Sequence, residues 1–216
     1  MDPAVEHDLP EFAKALIHSR QNVSPRRLVE PGPSAPQLQD ILGAAAAAPD
    51  HGQLLPWRFV VVPVAQRERL AEVFGLALLD RDPQATPAQV ESAREKAHRA
   101  PFLMLAIARR ADLALAPGAA PERDAQHPHA VEAEVNDAER LVSLGCAIQN
   151  VLLSAHAAGF GTGVTSGQAL GSARLRALFN LQEREQAVCC INIGSVTKRK
   201  PAPVRPQVLD YVSELS

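Results

Sequence analysis

The chain has 216 residues, and its 22 Lys and Arg nearly balance its 24 Asp and Glu, so the formal net charge is −2. This balance argues against a basic surface for nucleic acid or anionic membranes. An aromatic content of 4% likewise argues against a surface on which bases stack. With 46% apolar and 21% charged residues the composition is that of a folded protein. We expect one domain over residues 1–216, with neither nucleic acid nor a membrane as partner.

The cysteine pattern argues against a disulfide framework. The chain has three cysteines, Cys146, Cys189 and Cys190, and the last two are adjacent. An odd number with this spacing is typical of reduced thiols in a cytoplasm. The first residues show no signal-peptide pattern, and no apolar run reaches the roughly 18 to 20 residues that span a bilayer. We therefore expect a cytoplasmic protein without a metal site or a nucleophilic cysteine.

The first half of the chain alternates between helical and strand patterns. Ser34 and Thr86 are predicted N-caps, each followed closely by a proline, and Pro10 is expected in the first turn of the first helix. The 3.6-residue period and the β-branched runs give the boundaries. The predicted helices cover residues 6–20, 34–48, 66–79 and 86–98, and the predicted buried strands cover residues 57–62 and 102–108.

The second half contains the longest predicted helix. Residues 133–158 keep an apolar stripe, and Gly159 follows as a C-terminal cap. Before this helix, residues 111–130 have no period, and we expect a mobile surface loop there. After it come a glycine-rich loop at 159–167, a helix capped by Ser172, a buried strand at 187–196 and a basic, proline-rich tail at 197–216.

Three familiar kinds of site fit the sequence poorly. Gly159, Gly161 and Gly163 follow a helix rather than a strand, so a Rossmann dinucleotide fingerprint is disfavoured. His127 and His129 lack a cysteine or carboxylate at ligand spacing and are better explained as surface histidines. A GxSxG motif is absent, which argues against a serine hydrolase of that kind.

Two polar segments are harder to explain by packing alone. His18 to Asn22 end the first helix, and Pro49 to Trp57 join an alanine-rich helix to a strand. Taken singly, they are a solvated helix terminus and a helix-to-strand turn. A third polar run, Thr165-Ser166-Gly167, follows the glycine-rich stretch. The order and spacing of the three segments carry more information than any one of them.

Together these segments resemble the FMN-dependent nitroreductases, in the short single-domain branch of that family. The resemblance covers about residues 12–200. It is carried by Ser19-Arg20-Gln21 at the end of the first helix, by the turn from Ala48 to Trp57 and by Gly159-Phe160-Gly161 after the long helix. It implies an α+β fold: a three-layer α/β/α sandwich with a central mixed sheet and a long central helix, assembled as a homodimer.

The resemblance also implies an activity. Members of the family bind FMN in the subunit interface and use NAD(P)H as co-substrate. We expect a ping-pong oxidoreductase that reduces nitroaromatics, quinones or similar electron-poor small molecules and has no catalytic side chain of its own. A non-catalytic FMN or nucleotide-binding homodimer with a storage or sensory role is the alternative. An interaction protein whose long helix is a dimer seam is a third interpretation.

The resemblance assigns cofactor-binding residues to four segments. The end of the first helix matches the stretch that holds the ribityl phosphate and the pyrimidine edge, and the 49–53 turn matches the one that the partner subunit lays against the flavin. The polar run after the glycines matches the segment beside the ring, and the basic tail matches residues that reach the phosphate. The residues are Ser19, Arg20, Gln21, Pro49, Asp50, His51, Gln53, Val164, Thr165, Ser166, Gly167, Lys198 and Arg199, with Arg205 as a further basic residue of the tail.

Two departures from the family pattern concern charge. The usual Arg-Arg-Ser is here Ser19-Arg20-Gln21, so Lys198 or Arg199 is expected to supply the missing phosphate cation. Arg26 or Arg27 is expected to bring positive charge to the pyrimidine edge. The tail from residue 197 is expected to pack on the partner subunit.

Overall fold

The structure, a computed structural model, describes residues 3–111, 135–198, 200–201 and 203–215, with side chains from residue 8 onward. Most of the expected mobile loop at 111–130 and the candidate residue Arg199 lie outside this part of the chain. The described helices are α1 (Pro3–Ser19), α2 (Ala35–Gly43), α3 (Arg67–Arg81), α4 (Pro87–Arg94), α5 (Asp137–Ala157) and α6 (Ala173–Leu178). The described strands are β1 (Leu28–Val29), β2 (Trp57–Val61), β3 (Phe102–Arg109), β4 (Gly161–Thr165) and β5 (Glu185–Val196).

The capping predictions are confirmed at both proline-started helices. The Ser34 backbone N–H donates to Gln37 Oε1 over 3.0 Å, and Thr86 exchanges two hydrogen bonds with Gln89. The prediction for Pro10 is wrong, because this proline lies inside α1 rather than in its first turn. The helix begins at Pro3 and continues past Pro10, whose nitrogen has no hydrogen to donate.

The predicted glycine-rich loop at 159–167 is largely a strand. Residues 161–165 form β4, which pairs with β5 so that Gly161 lies opposite Gly194. The lack of side chains allows this pairing, because a Cβ atom on Gly161 would lie 2.2 Å from Val196 Cγ2. Period alone does not reveal a strand whose residues are alternately glycine.

A β-sheet whose paired strands are antiparallel forms the centre of the molecule. The strand order is β1-β5-β3-β2, and β4 pairs with β5. Each of these pairs is antiparallel, with Met104 opposite Ile191 in the β3–β5 ladder. The parallel component expected of a mixed sheet is a single bridge between Asn22 and Thr162 among the described residues.

Helices cover both faces of this sheet, which confirms the three-layer α+β architecture. Even-numbered residues of β3, such as Met104, enter a core with α2 and α5, where Leu144 and Val151 are fully buried. Odd-numbered residues, such as Leu105, enter a second core with α3 and α6. The long helix α5 is central, as predicted, since it packs on α2, β3 and β4.

A single chain leaves an apolar surface open. The stripe on α1 is exposed, with Phe12 at 59% and Ile17 at 53% of full exposure. The C-terminal segment exposes Val204, Leu209 and Tyr211 in the same way. Apolar side chains in such numbers are typical of a surface that another protein covers. None of the described helices is long and apolar enough to cross a membrane.

Candidate functional site

The segment after α1 runs beside β4 and brings two predicted groups to one edge of the sheet. Val23 N donates to the Thr162 carbonyl over 2.7 Å, and Val164 N donates to Asn22 Oδ1 over 2.8 Å. Ser19, Arg20 and Gln21 therefore lie near the start of β4. Val164 to Gly167 lie at its end. We call this stretch the β4 edge.

A cluster of cations surrounds the start of the β4 edge. Arg205 Nη2 donates to the Arg20 carbonyl over 2.9 Å, and Arg27 donates to the Lys198 carbonyl. In the described part of the chain, none of the arginines 20, 27 and 205 pairs with a carboxylate. Burial, and then the neighbouring charge of Arg205, lower the pKa of Arg20. Uncompensated positive charge of this kind favours an anion.

Ser19 has a partner that the sequence did not indicate. Its hydroxyl lies 2.7 Å from Nε2 of His156, which is in the last turn of α5. Both residues line a small cleft of about 30 Å³, together with Gln21, Arg27 and Lys200. The basic tail that was predicted to reach the phosphate thus arrives beside the end of α1.

The far end of the β4 edge opens into a cavity of about 400 Å³. Thr165, Ser166 and Gly167, which the resemblance assigns to the side of the flavin ring, line this cavity. Its other walls come from α3, α4, the 3-10 turn at Glu95–His98 and the sheet. The cationic side chains in these walls, which sequence reasoning missed, are Arg81, Lys96 and Arg99.

A buried amide holds the end of β4 in place. Asn192 is 2% exposed, and its Nδ2 donates to the Gly163 carbonyl over 3.1 Å and to Thr165 Oγ1 over 3.3 Å. Because a buried amide requires such partners, its position and that of Thr165 are fixed together. The polar residues at the cavity mouth are therefore held in place by a side chain of the sheet.

The 49–53 turn has a strained and well-supported backbone. Gly52, Gln53 and Leu55 all have left-handed φ angles, of 70°, 52° and 47°. The Asp50 carboxylate accepts hydrogen bonds from Leu54 N at 3.2 Å and from Leu55 N at 2.8 Å. Asp50 therefore shapes the turn, while His51 and Gln53 remain exposed next to it.

This turn lies far from the cationic cluster of its own chain. His51 Nδ1 is 3.3 Å from Glu139 Oε2 in the first turn of α5, whereas Ser19 contacts His156 in the last turn. At about 1.5 Å per residue, some 25 Å of helix separates the two contacts. One chain thus does not bring the turn and the cluster together along α5.

The adjacent cysteines are buried in β5 and poorly suited to nucleophilic chemistry. Burial raises the pKa of Cys189 to about 11 and that of Cys190 to about 12. At neutral pH both thiols are therefore protonated. Among the residues that the structure describes, no three metal-binding side chains come together.

Comparison with known proteins places these features in one family. The model of the nitroreductase family matches residues 20–195. A relative from Escherichia coli K12 that bears the name NAD(P)H nitroreductase YdjA is 32% identical over 85% of this chain and 87% of its own. A Haemophilus influenzae relative, also named as an NAD(P)H nitroreductase, is 29% identical over 85% of this chain and 88% of its own.

Solved structures share the fold at lower sequence identity. A nitroreductase-like protein from Bacillus cereus has a TM-score of 0.72 and is 15% identical, with coverage of 94% of this chain and 95% of its own. The FMN-dependent nitroreductase NfnB from Mycobacterium smegmatis, solved with NADPH, has a TM-score of 0.68 at 16% identity, covering 97% of this chain and all of its own. The family match spans most of the chain, and the chain belongs to the nitroreductase family.

Proposed function

We propose that this protein is an FMN-dependent oxidoreductase that uses NAD(P)H to reduce nitroaromatics, quinones or similar electron-poor acceptors by a ping-pong mechanism. The main support is the charge distribution along the β4 edge. Arginines without carboxylate partners lie at its start, and a cavity of about 400 Å³ opens at its end. This arrangement suits an elongated ligand with a phosphate at one end and a planar ring at the other. The relatives named as NAD(P)H nitroreductases support the same assignment.

The cationic cluster fits the phosphate of FMN. Guanidinium groups bind a phosphate dianion through paired, charge-assisted hydrogen bonds. We assign this role to Arg20, with Arg27 and Arg205 beside it. Lys198 follows in the same tail, and these cations replace the arginine that is missing from the motif at residue 19.

The end of the β4 edge fits the ring. Val164 to Gly167 provide backbone groups and little side-chain bulk, and Lys96 and Arg99 add positive charge to the same cavity. Positive charge near the pyrimidine edge stabilises added electrons. Lys96 and Arg99 suit this role better than the expected Arg26 or Arg27. Lys96 and Arg99 line the cavity, whereas Arg26 and Arg27 do not, and Arg27 donates to the Lys198 carbonyl instead.

FMN held by Arg20 at one end of the β4 edge and by Val164 to Gly167 at the other would supply the hydride and electron transfer between the nicotinamide and the acceptor. The protein's part is to hold the reactants in stacking geometry and to exclude water, so it requires no dedicated acid or base. We propose that the start of the β4 edge binds the phosphate of FMN and that its end binds the ring. The three cysteines are free thiols, which is consistent with a protein that functions in a reducing cytoplasm.

We further propose a homodimer in which each 49–53 turn serves the flavin of the partner subunit. The 25 Å of α5 between the turn and the cluster supports this exchange, because one chain does not provide both to the same ligand. The open apolar surface on α1 and on the tail supports it as well. Each chain is then one domain. Lys198 and Arg205 in its tail contact their own chain, and we assign to the partner the exposed apolar residues further on, such as Leu209 and Tyr211.

The first test is the flavin spectrum of the purified protein and its titration with FMN. We expect bound flavin, and we expect Arg20→Gln to weaken FMN binding by about tenfold to a hundredfold, since a hydrogen bond to a charged group contributes about 1.5 to 3 kcal/mol. Arg69→Gln is the matched control, because Arg69 is exposed on α3 and donates to Gln66 instead.

Protein that stays colourless and takes up no FMN would contradict the proposal. Flavin that binds but is not reduced by NADH or NADPH, with a nitrofuran or quinone present, would instead establish the storage or sensory role. Sedimentation of the holoprotein as a monomer would contradict the exchange of turns.

A further inference from the structure

The cavity at the end of the β4 edge carries charge of one sign only. Arg81 ends α3, and Lys96 and Arg99 belong to the turn after α4 and the residues that follow it. No aspartate or glutamate is among the residues that line this cavity. Its polar side chains besides the three cations are neutral, and its remaining walls are largely apolar: Phe74, Leu78, Leu103 and Leu170.

Among the residues that the structure describes, only Arg99 of the three lining cations has partners, the Ser92 carbonyl at 3.2 Å and Glu95 Oε2 at 3.7 Å from its Nη2. Other arginines nearby are paired with carboxylates. Arg94 pairs with Glu68 at 2.5 Å, and Arg174 pairs with Asp80 at 2.6 Å. Within the described chain, the side chains of Arg81 and Lys96 make no hydrogen bond or ion pair. The Nε atom of Arg99 is buried without a partner. Such cations beside an apolar wall select an anion attached to an apolar group.

The proposed function assigns only two of these three cations to the ring of FMN. In the proposed function Lys96 and Arg99 provide charge at its pyrimidine edge, while Arg81 comes from a different helix and has no task there. Arg81 is also exposed, so an incoming molecule reaches it without moving the core. This leaves one guanidinium for a second ligand that enters the same cavity.

We propose that the electron acceptor of this enzyme carries a carboxylate on an aromatic ring, and that Arg81 selects for that carboxylate. The proposal rests on the proposed function, since it concerns the acceptor of the same site. A cavity of about 400 Å³ lies within the range of small-molecule sites, and a benzoate-sized ring suits it. The guanidinium of Arg81 binds the carboxylate, and the apolar wall receives the ring.

The test compares two acceptors of nearly the same size and shape, the anionic 4-nitrobenzoate and the neutral 4-nitrobenzamide, whose ring is the more electron-poor of the two. We expect the FMN-loaded wild-type enzyme to show a kcat/KM at least tenfold higher for the carboxylate. Arg81→Gln is expected to remove this preference by a loss on 4-nitrobenzoate only. Arg81→Lys keeps the charge and should retain most of the preference, and Arg69→Gln on the same helix should behave as the wild type.

Equal kcat/KM values for the two acceptors in the wild type would overturn the proposal. An equal loss on both acceptors in Arg81→Gln would overturn the role of Arg81, because it would indicate a general structural effect.

Calorimetric titration with benzoate separates this proposal from the proposed function. We expect the FMN-loaded wild-type protein to bind benzoate and Arg81→Gln to bind it at least tenfold more weakly. Benzoate binding that depends on Arg81, in protein that oxidises no NAD(P)H, would support the anion site and refute the oxidoreductase. Turnover of nitro compounds without any benzoate binding would do the reverse.

Discussion

Gly163 controls how closely the segment after α1 approaches β4. A Cβ atom at this position would lie 2.2 Å from the Val23 carbonyl oxygen, a backbone atom that has no rotamer to change. Gly163→Ala therefore forces the two segments apart. The hydrogen bonds at risk are Val23 N to Thr162 O at 2.7 Å and Val164 N to Asn22 Oδ1 at 2.8 Å.

The expected size of the effect follows from these two bonds. At about 1 kcal/mol each, their loss lowers the free energy of unfolding by about 2 kcal/mol. For a chain of this length that corresponds to a fall in Tm of about 4 to 8 °C. Because the same shift moves Arg20 away from the cluster, we expect FMN affinity to fall by about tenfold or more.

Urea unfolding and FMN titration measure the two effects separately. Gly145→Ala is the control, since nothing lies within 4 Å of an added Cβ there and alanine favours the helix. We expect this control to be neutral or to gain about 0.5 to 1 kcal/mol. If Gly163→Ala matched the control in both measurements, the close approach at the β4 edge would have no energetic importance.

Two further substitutions probe buried charge. Arg67 is 4% exposed and donates to the carbonyls of residues 62, 97, 100 and 101. Arg67→Met should therefore lower the free energy of unfolding, measured in urea, by about 3 kcal/mol. A loss below about 1 kcal/mol would contradict this role. Hydrogen bonds from Arg58 lower the pKa of Glu185 in the folded protein. A carboxylate of this kind stabilises the fold at pH values above the pKa that it has in the unfolded chain. This stabilisation is lost as the pH falls through the pKa of the folded state. We expect Glu185→Gln to lower the free energy of unfolding by about 2 kcal/mol at pH 7. The difference in unfolding free energy between variant and wild type should shrink as the pH falls below about 4, and a difference that does not depend on pH would refute this assignment.

Local signals in the sequence predicted most helices and the strands β2, β3 and β5. Caps such as Ser34 and Thr86 act within a few residues, so they are visible without the fold. The strand at 102–109 was recognisable because its residues are apolar on both faces, and both faces are indeed buried. The short strand β1 was not predicted, since two residues carry no period.

The candidate site was predictable only where it follows a motif. The residues 19–21 and 164–167 come together through the pairing beside β4, which spans more than a hundred residues of chain. Arg81, Lys96 and Arg99 carry no motif, and they share one cavity only because α3 and α4 pack on the same face of the sheet. His156 was likewise hidden within an ordinary helical period.

The helix α5 sets the distance between two of the candidate cofactor-binding segments. One end anchors the strained turn through Glu139, and the other end anchors Ser19 through His156. In the proposed dimer the separation of the two flavins therefore depends on a rigid rod rather than on loops. Insertions elsewhere on the surface leave this separation unchanged. Adding one turn to α5, by contrast, increases the distance between the 49–53 turn and Ser19. The length of this one helix thus constrains the geometry of the whole assembly.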